Sequence, residues 1–552
     1  MQLRLPVYCL VLLCLGCNTR KKADLIIHHA VIYTVDEQFS RAQAVAVRDG
    51  RIAALGSDEE ILAAYEAPEV LDAGGKFIYP GFIDAHAHFL GYGMSLLQVN
   101  LTGTRSWQEV IERVQAFIAA NPALSENAGW VLGRGWDQND WPEKNFPDRA
   151  QLDSLFPKNP ILLGRIDGHA AIANAPALAA AGIQPGQTLT GGLVEVKNGR
   201  LTGILVDNAV RLVQSKVPPP SPALLQKALQ SAAASCFAAG LTTVADCGLM
   251  KDEVLFIDSL QQQQQLKMRL YVLLSDTTLN YDYFLPKGPY RTDYINVAGF
   301  KCYADGALGS RGACLLQDYA DMPGWKGFLL RDSSHFAQRA AQLIDTRFQL
   351  CTHAIGDSAN RQVLRIYAGV LKDKNDRRWR IEHAQVVNPA DVAMFGRYSI
   401  IPSVQPTHAT SDMYWAGDRL GPERIQHAYI YQQLLEQNGW LPLGTDFPVE
   451  DISPLKTFLA AVARTDTSGY PAGGFQVEQA LTRQQALQGM TIWAARGCME
   501  EESRGSLEPG KLADMVMLDQ DLMEAPMQQV LKARTLATFS GGEKMYDANA
   551  AK

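Results

Sequence analysis

Short apolar runs recur through the middle of the chain, and a helical stretch follows each of them. Apolar runs of this length, bounded by turn signals, are typical of buried parallel strands, and their alternation with helices is typical of α/β proteins. We therefore expect eight strands, at residues 82–88, 242–246, 269–274, 297–303, 348–353, 379–383, 400–404 and 441–446. Eight strands that alternate with helices predict a TIM-like (β/α)8 barrel over residues 81–504.

Both ends of the chain show a different pattern, in which apolar and polar residues alternate over short distances. In residues 24–80 this alternation, together with the turn at Asp49-Gly50, predicts a hairpin and further short strands. Residues 505–548 have the same character. Because neither segment is large enough to be stable alone, we expect them to pair into one small composite β-sandwich domain.

A long segment separates the first two predicted strands. Roughly 150 residues lie between them, whereas a βα loop commonly has about two to six residues. We therefore interpret residues 95–221, with approximate limits, as an inserted subdomain. The mouth of the barrel is the natural place for it, and there it would act as a cover.

The N-terminus has the pattern of an export signal. An apolar stretch follows Arg4, is too short for a transmembrane helix, and ends at Gly16-Cys17 before a polar segment. Residues 1–17 resemble a bacterial lipoprotein signal, in which Cys17 would be lipidated; a plain secretory signal is the alternative. We expect an exported protein of the bacterial cell envelope, attached to the membrane through this N-terminal lipid.

Composition narrows the classes of partner and site. The 552 residues carry a net charge of −7 and contain no stripe dense in lysine and arginine, so no nucleic-acid partner is expected. Six of the nine cysteines follow the leader, and none of them forms a Cys-x-x-Cys pair, which argues against cysteine-based zinc or redox chemistry. The expected partner is a small-molecule substrate, and self-association into a homo-oligomer stays open.

Residues able to bind metal fall at the ends of the predicted strands. His86 and His88 end the first strand, and a spacing of two places both imidazoles on the same face of a strand. In barrels of this kind the carboxyl ends of the strands carry the active site. Four of the ten histidines of the chain lie at such ends, which is poorly explained by scattered structural roles. The candidate set is His86, His88, Lys301, His353, His383 and Asp446.

The surrounding motifs resemble the amidohydrolase superfamily, and more narrowly amidohydrolase family 3, which includes N-substituted formamide deformylases. The resemblance covers nearly the whole chain after the leader. Its motifs are Pro80-Gly81-Phe82-Ile83-Asp84-Ala85-His86-Ala87-His88, Lys301-Cys302-Tyr303-Ala304-Asp305-Gly306-Ala307-Leu308-Gly309-Ser310-Arg311, Thr352-His353-Ala354-Ile355-Gly356-Asp357, Ile381-Glu382-His383 and Gly444-Thr445-Asp446.

The resemblance implies a role for each member of the set. His86 and His88 would bind the more buried of two metal ions, and His353 and His383 would bind the second. Histidine and carboxylate ligands suit zinc, with other divalent metals as the alternative. Lys301 would be carboxylated by carbon dioxide and bridge the two ions, unless it is simply paired with Asp305. Asp446 would contact the buried ion and act as the general base and acid.

These roles imply a hydrolase that cleaves an amide or N-formyl type of C–N bond, other than a peptide bond, by a metal-activated hydroxide. A deaminase with one metal ion and a lipid-anchored binding protein without catalysis are the alternatives. For the substrate, the candidates are His169 and His408, as hydrogen-bonding groups, and Arg311, as a carboxylate ligand. Each of these three also has a bracing role in a loop available to it.

Overall fold

The computed structural model describes residues 20–126 and 128–550. The predicted signal segment and Cys17 lie outside the described residues. Within the described part of the chain, no helix combines the length and the apolar character that crossing a membrane requires.

A parallel barrel forms the centre of the fold. Its first seven strands pair in chain order, each parallel to the next. We number them barrel strands 1 to 7: Phe82–Ala87, Leu241–Leu249, Arg269–Ser275, Ile295–Tyr303, Gln349–Ala354, Arg380–His383 and Ile401–Ser403. The short strand Tyr290–Arg291 pairs with the fourth from outside this path.

Residues 441–446 close the barrel where the eighth strand is predicted. Val404 and Leu443 form a parallel bridge that joins this segment to strand 7. On its other side, the Ala85 amide donates to the Leu443 carbonyl at 3.2 Å, and the Asp446 amide donates to the His86 carbonyl at 2.7 Å. The prediction of a TIM-like barrel is confirmed, and its last strand is reduced to these few bonds.

Helices connect the barrel strands, and further helices lie in the insertion and near the two ends of the chain. Most of them begin with a residue whose side chain, or a proline in the first turn, suits a helix N-terminus. The helices are Asp58–Ala64, Phe89–Ser95, Trp107–Ala120, Pro122–Glu126, Ala150–Leu155, Ala175–Ala181, Asn208–Gln214, Pro222–Ala238, Lys251–Gln262, Thr278–Phe284, Ser333–Leu343, Asp357–Leu371, Pro389–Arg397, Pro406–Asp412, Ala416–Arg424, Tyr431–Asn438, Pro454–Ala463, Arg483–Gly489, Ile492–Gly497 and Met527–Val530.

The two ends of the chain contribute to common sheets. A six-stranded sheet has the order Glu543–Asp547, Thr535–Ser540, Met515–Leu518, Phe77–Pro80, Val31–Tyr33 and Arg41–Ala42. A four-stranded sheet has the order Arg51–Gly56, Ala44–Arg48, Leu25–His28 and Glu69–Asp72, and Lys21–Lys22 pairs with Tyr65–Glu66. Side chains from both larger sheets meet in one buried cluster that includes Ile27, Val45, Ile78 and Phe539.

One helix in this region was not expected from the alternating pattern. Asp58–Ala64 is helical, and its start carries a capping box, in which Ser57 caps Glu60 and the Glu60 carboxylate accepts from the Ser57 amide at 2.9 Å. A serine followed three residues later by glutamate is a helix-start signal in the sequence itself. The interpretation of residues 24–80 as strands and turns alone is therefore incomplete.

The segment between barrel strands 1 and 2 has a sheet and buried clusters of its own. Its strands occur in the order Val99–Asn100, Val131–Trp136, Ile161–Arg165, Ala170–Ala173, Arg200–Asp207 and Gly192–Lys197. Residues at the ends of several of these strands face the same cavity as the predicted ligands of the barrel. The insertion thus supplies one wall of the candidate site.

Candidate metal centre

Barrel strand 1 carries the two histidines of the first motif into the site. All of Phe82–Ala87 is buried, and the His86 side chain is fully buried whereas 30% of the His88 side chain is exposed. His86 Nδ1 lies 2.6 Å from Glu382 Oε2, so this nitrogen donates to the carboxylate. The other nitrogen, Nε2, keeps its lone pair and accepts a hydrogen bond from Lys301 Nζ on the side that also faces Asp446.

Strands 4 and 5 bring their predicted ligands next to this pair. Lys301 is completely buried, and its Nζ lies 3.1 Å from His86 Nε2. Asp305 does not pair with this lysine; it accepts instead from the amides of Ile355 at 3.0 Å and Gly356 at 2.8 Å. The ring of His353 lies on the same side, with its centroid 4.6 Å from that of His383.

The end of strand 6 departs from the usual alternation of a strand. Glu382 and His383 are consecutive, yet Glu382 binds His86 and the His383 ring lies 4.7 Å from the His86 ring. The reason is the backbone, because His383 and Ala384 have φ values of 73° and 44°. This left-handed conformation is costly for residues other than glycine and is often found at functional sites.

Asp446 lies where the histidines converge, and it too has a left-handed backbone, with φ of 62°. Its Oδ1 is 3.3 Å from His88 Nε2 and 3.6 Å from His86 Nε2, and its Oδ2 is 3.7 Å from His408 Nε2. Burial alone would raise the pKa of Asp446, but the proximity of His88 and of the other nearby imidazoles holds it well below its usual value. The carboxylate is therefore ionised at neutral pH.

The geometry and chemistry of these groups fit a divalent metal ion. Two groups of side chains each bring their ligand atoms within 4.8 Å of one another. One group is His86, His88 and Asp446, and the other is His383, His408 and Asp446. Among the described residues, Asp446 Oδ1 and His408 Nε2 are buried without a hydrogen-bond partner. Buried groups of this kind are costly unless they are satisfied, and imidazole and carboxylate ligands suit zinc. His353 and Lys301 lie beside the two groups rather than in them.

A buried ion pair between Arg380 and Glu382 lies against His86, on the Nδ1 side of its ring. Arg380 Nε is 2.8 Å from Glu382 Oε1, and neither side chain is exposed. Burial alone would raise the pKa of Glu382, but the charge of Arg380, together with His86, lowers it to about 2. A fixed negative charge therefore stands behind His86, as it does behind many metal-binding histidines.

The three predicted substrate residues differ in where they lie. His169 and His408 both line the cavity, but Arg311 does not; its Nη2 lies 2.8 Å from Asp321 Oδ2. The His169 ring is 5.0 Å from that of His353, and its Nδ1 is 2.6 Å from Asp207 Oδ1. Burial would lower the pKa of His169, but Asp207 raises it by charge and hydrogen bond.

The site opens into a cavity of about 1020 Å³ between barrel and insertion. Sequence reasoning did not assign roles to Glu382, which lies within a quoted motif, or to Arg134, which lies between two glycines of the insertion. An acidic residue just before a strand-end histidine is a signal for the first. Arg134 has no comparable signal in the sequence, because the exposure and the partners of its side chain depend on how the insertion folds.

Comparison with known proteins agrees with the site. A family model described as "Amidohydrolase family" (Amidohydro_3) matches residues 69–546. Three relatives are Protein LONG AFTER FAR-RED 3 of Arabidopsis thaliana, 32% identical over 95% of this chain and 92% of its own; Putative amidohydrolase YtcJ of Bacillus subtilis, 30% identical over 94% and 99%; and N-substituted formamide deformylase of Arthrobacter pascens, 26% identical over 95% and 98%.

Two solved structures share the fold. Both are uncharacterized metal-dependent hydrolases, one from Pyrococcus horikoshii OT3, with a TM-score of 0.74 and 24% identity over 91% of this chain and 99% of its own. The other, from Pyrococcus furiosus, has a TM-score of 0.71 and 25% identity over 91% and 100%. From its strand-end ligands, its barrel and these matches together, the chain belongs to the amidohydrolase family and is a metal-dependent hydrolase.

Proposed function

We propose that the protein hydrolyses an amide or N-formyl type of C–N bond, other than a peptide bond, in a small molecule. The observation that carries the proposal is Asp446, an ionised carboxylate with an unpaired oxygen at the point where His86, His88 and His408 meet. The relative named N-substituted formamide deformylase supports this type of bond. A cavity of about 1020 Å³ suits a small-molecule substrate.

We assign the ligands to two metal-binding groups, with Lys301 between them. His86, His88 and Asp446 would hold one zinc ion, and His353 and His383 would hold the other, with His408 beside His383 at a ring distance of 5.7 Å. Such ions, when bound, polarise a carbonyl and lower the pKa of a water molecule. Lys301 would lie between the two groups as a carbamate, which forms when its ammonium group loses one proton, the neutral Nζ bonds to carbon dioxide and a second proton is released.

Asp446 moves the proton in this scheme. Its carboxylate takes a proton from the attacking water and then gives that proton to the departing nitrogen as the C–N bond breaks. The products are a carboxylic acid and an amine. His169, next to His353, and His408, next to His383, would hydrogen-bond the carbonyl oxygen and orient it.

The test is a substrate panel of N-formyl amines and simple amides on the zinc-loaded full chain, with the Asp446→Asn variant beside it. We expect turnover of at least one N-formyl amine or amide in the wild type. Because the amide side chain of the variant cannot accept the proton, we expect a loss of about 10²–10⁴-fold in kcat, with zinc still bound. Amine release and metal content by mass spectrometry measure the two quantities.

Asp376→Asn is the matched control, since this carboxylate binds Arg378 and does not line the cavity. It should leave both kcat and metal content unchanged. Wild-type turnover in Asp446→Asn would contradict the proton-transfer role, and a single zinc ion per chain in an active wild type would favour the one-metal deaminase.

A further inference from the structure

Arg134 lies in the wall that the insertion contributes to the cavity. It is on the strand Val131–Trp136, and its Nη2 donates to the Ile166 carbonyl at 2.9 Å. The guanidinium also lies against Gly168, where a Cβ atom would come within 3.1 Å of Nη1. These contacts hold the position of the group without supplying a negative charge.

The guanidinium of Arg134 is only partly satisfied by its neighbours. Within residues 20–126 and 128–550, Arg134 forms no ion pair, and its Nε is buried without an acceptor. Arg165, on the adjacent strand, shows the contrast: it is ion-paired with Asp137 and with Asp167, the latter at 2.5 Å. A buried donor without a partner is costly, so a ligand that supplies acceptors gains affinity there.

The unpaired group is within electrostatic reach of the metal centre. Burial lowers the pKa of Arg134, and the charges of Asp446 and Asp167 act against that effect. A second arginine, Arg211 of the helix Asn208–Gln214, lines the same cavity and forms no ion pair in the described part of the chain. The insertion wall therefore presents two arginines that form no salt bridge with a described residue.

We propose that Arg134 binds a carboxylate group of the substrate, so that the substrate class is a carboxylate-bearing amide or N-formyl compound; this rests on the proposed function. The planar fork of a guanidinium matches a carboxylate with two parallel hydrogen bonds. Arg311, for which the sequence predicts this role, is bound to Asp321 and lies outside the cavity lining. The geometry assigns the role to Arg134 instead.

Binding to the zinc-loaded full chain tests the proposal without requiring turnover. The probes are matched pairs of acids with equal chain length: propionate and malonate, butyrate and succinate, valerate and glutarate. One carboxylate of each probe binds at the metal centre, and only the diacids can also reach Arg134. We expect at least one diacid to bind about tenfold or more tightly than its partner by titration calorimetry.

Arg134→Met should abolish this preference while the affinity for the monoacids stays the same. Arg361→Met is the matched control, because Arg361 binds Asp391 and does not line the cavity; the preference should persist there. If Arg134→Met does not fold, Arg134→Lys decides, since it keeps the charge and loses the fork; it should retain only part of the preference.

Three results would overturn the proposal: equal affinity for diacids and monoacids in the wild type, a full preference in a folded Arg134→Met or in Arg134→Lys, or a preference abolished by Arg311→Met but not by Arg134→Met. A wild type that shows the preference yet hydrolyses nothing in the panel would instead count against the proposed function.

Discussion

At the scale of single residues, the metal centre depends on side chains that do not themselves reach the metal. Glu382 lies 2.6 Å from His86 Nδ1 and 2.8 Å from Arg380 Nε. Because a carboxylate at Nδ1 fixes which nitrogen of the ring carries the proton, it leaves Nε2 as the ligand atom and aims it. The orientation of the first ligand, His86 of strand 1, thus depends on a residue of strand 6, which is not adjacent to strand 1 in the barrel.

Glu382→Gln is therefore expected to weaken zinc binding about 10–100-fold, although Glu382 is not a ligand. The variant keeps the size of the side chain and removes the charge that orients His86. Competition with a chromophoric chelator measures the affinity directly.

Glu109→Gln is the control for this change, since Glu109 accepts from the Arg105 amide at an exposed site. Its zinc affinity should equal that of the wild type. The double variant Arg380→Met/Glu382→Gln removes both buried charges, and it separates loss of metal binding from the destabilisation caused by an unpaired arginine. An unchanged affinity in Glu382→Gln would exclude the orienting role.

At the scale of secondary-structure elements, the closure between the first and eighth strands aligns His86 and Asp446. Asp84 accepts from Thr445 Oγ1 at 2.6 Å, and the Asp446 amide donates to His86. Gly444 lies in this seam, where a Cβ atom would come within 2.6 Å of the His86 amide nitrogen. The two strands can approach this closely only because residue 444 has no side chain.

Gly444→Ala should therefore cost about 1–3 kcal/mol or more of the free energy of unfolding and remove much of the zinc binding. Two of the three nearest atoms belong to the His86 backbone, which cannot rotate out of the way, and the third is Oδ1 of the buried Asp84. Urea unfolding and metal analysis would give both quantities.

Gly369→Ala provides the comparison, because Gly369 lies inside the helix Asp357–Leu371 and a Cβ there meets nothing within 4 Å. That exchange should stabilise the protein by about 1 kcal/mol, since alanine favours the helix over glycine. Equal effects of the two exchanges would mean that the seam is more adaptable than its contacts indicate.

At the scale of the whole molecule, candidate ligands from strands 1 and 6, from the segment after strand 7 and from the closing segment lie together, with Lys301 of strand 4 and His353 of strand 5 beside them. A bound ion would therefore connect segments that are more than 350 residues apart in the chain. The insertion completes the enclosure by adding His169 and Arg134 to the cavity wall. We therefore expect a change in metal binding at this site to alter the stability of the barrel as well.

Removal of zinc with a chelator should lower the midpoint of thermal unfolding, and reloading should restore it. A ligand present at 100 times its Kd stabilises the folded state by about 2.7 kcal/mol. Scanning calorimetry with and without added zinc measures the shift.

His88→Ala should lose most of this zinc-dependent shift. His427→Ala should keep it, because His427 does not line the cavity. A zinc-dependent shift of wild-type size in His88→Ala would place the ion elsewhere.

Much of this protein is predictable from local sequence. The strand–helix alternation predicts the barrel, and strand-end positions bring His86, His88, His353, His383 and Asp446 together, because parallel strands place their carboxyl ends on one face. The lipoprotein-type leader and the lysine carbamate stay predictions. The helix Asp58–Ala64 was also readable, from Ser57 and Glu60, but the alternating pattern around it favoured strands.

Only the tertiary structure decided which residues contact these ligands and which arginines of the site region form ion pairs. Glu382 faces His86 because the backbone turns left-handed at His383, and Arg134 is unpaired whereas Arg311 binds Asp321. The sequence by itself determined which residues can bind metal and which strands carry them, since both follow from residue type and spacing. Which groups neutralise or orient them depends on contacts between distant segments, and such contacts exist only once the chain is folded.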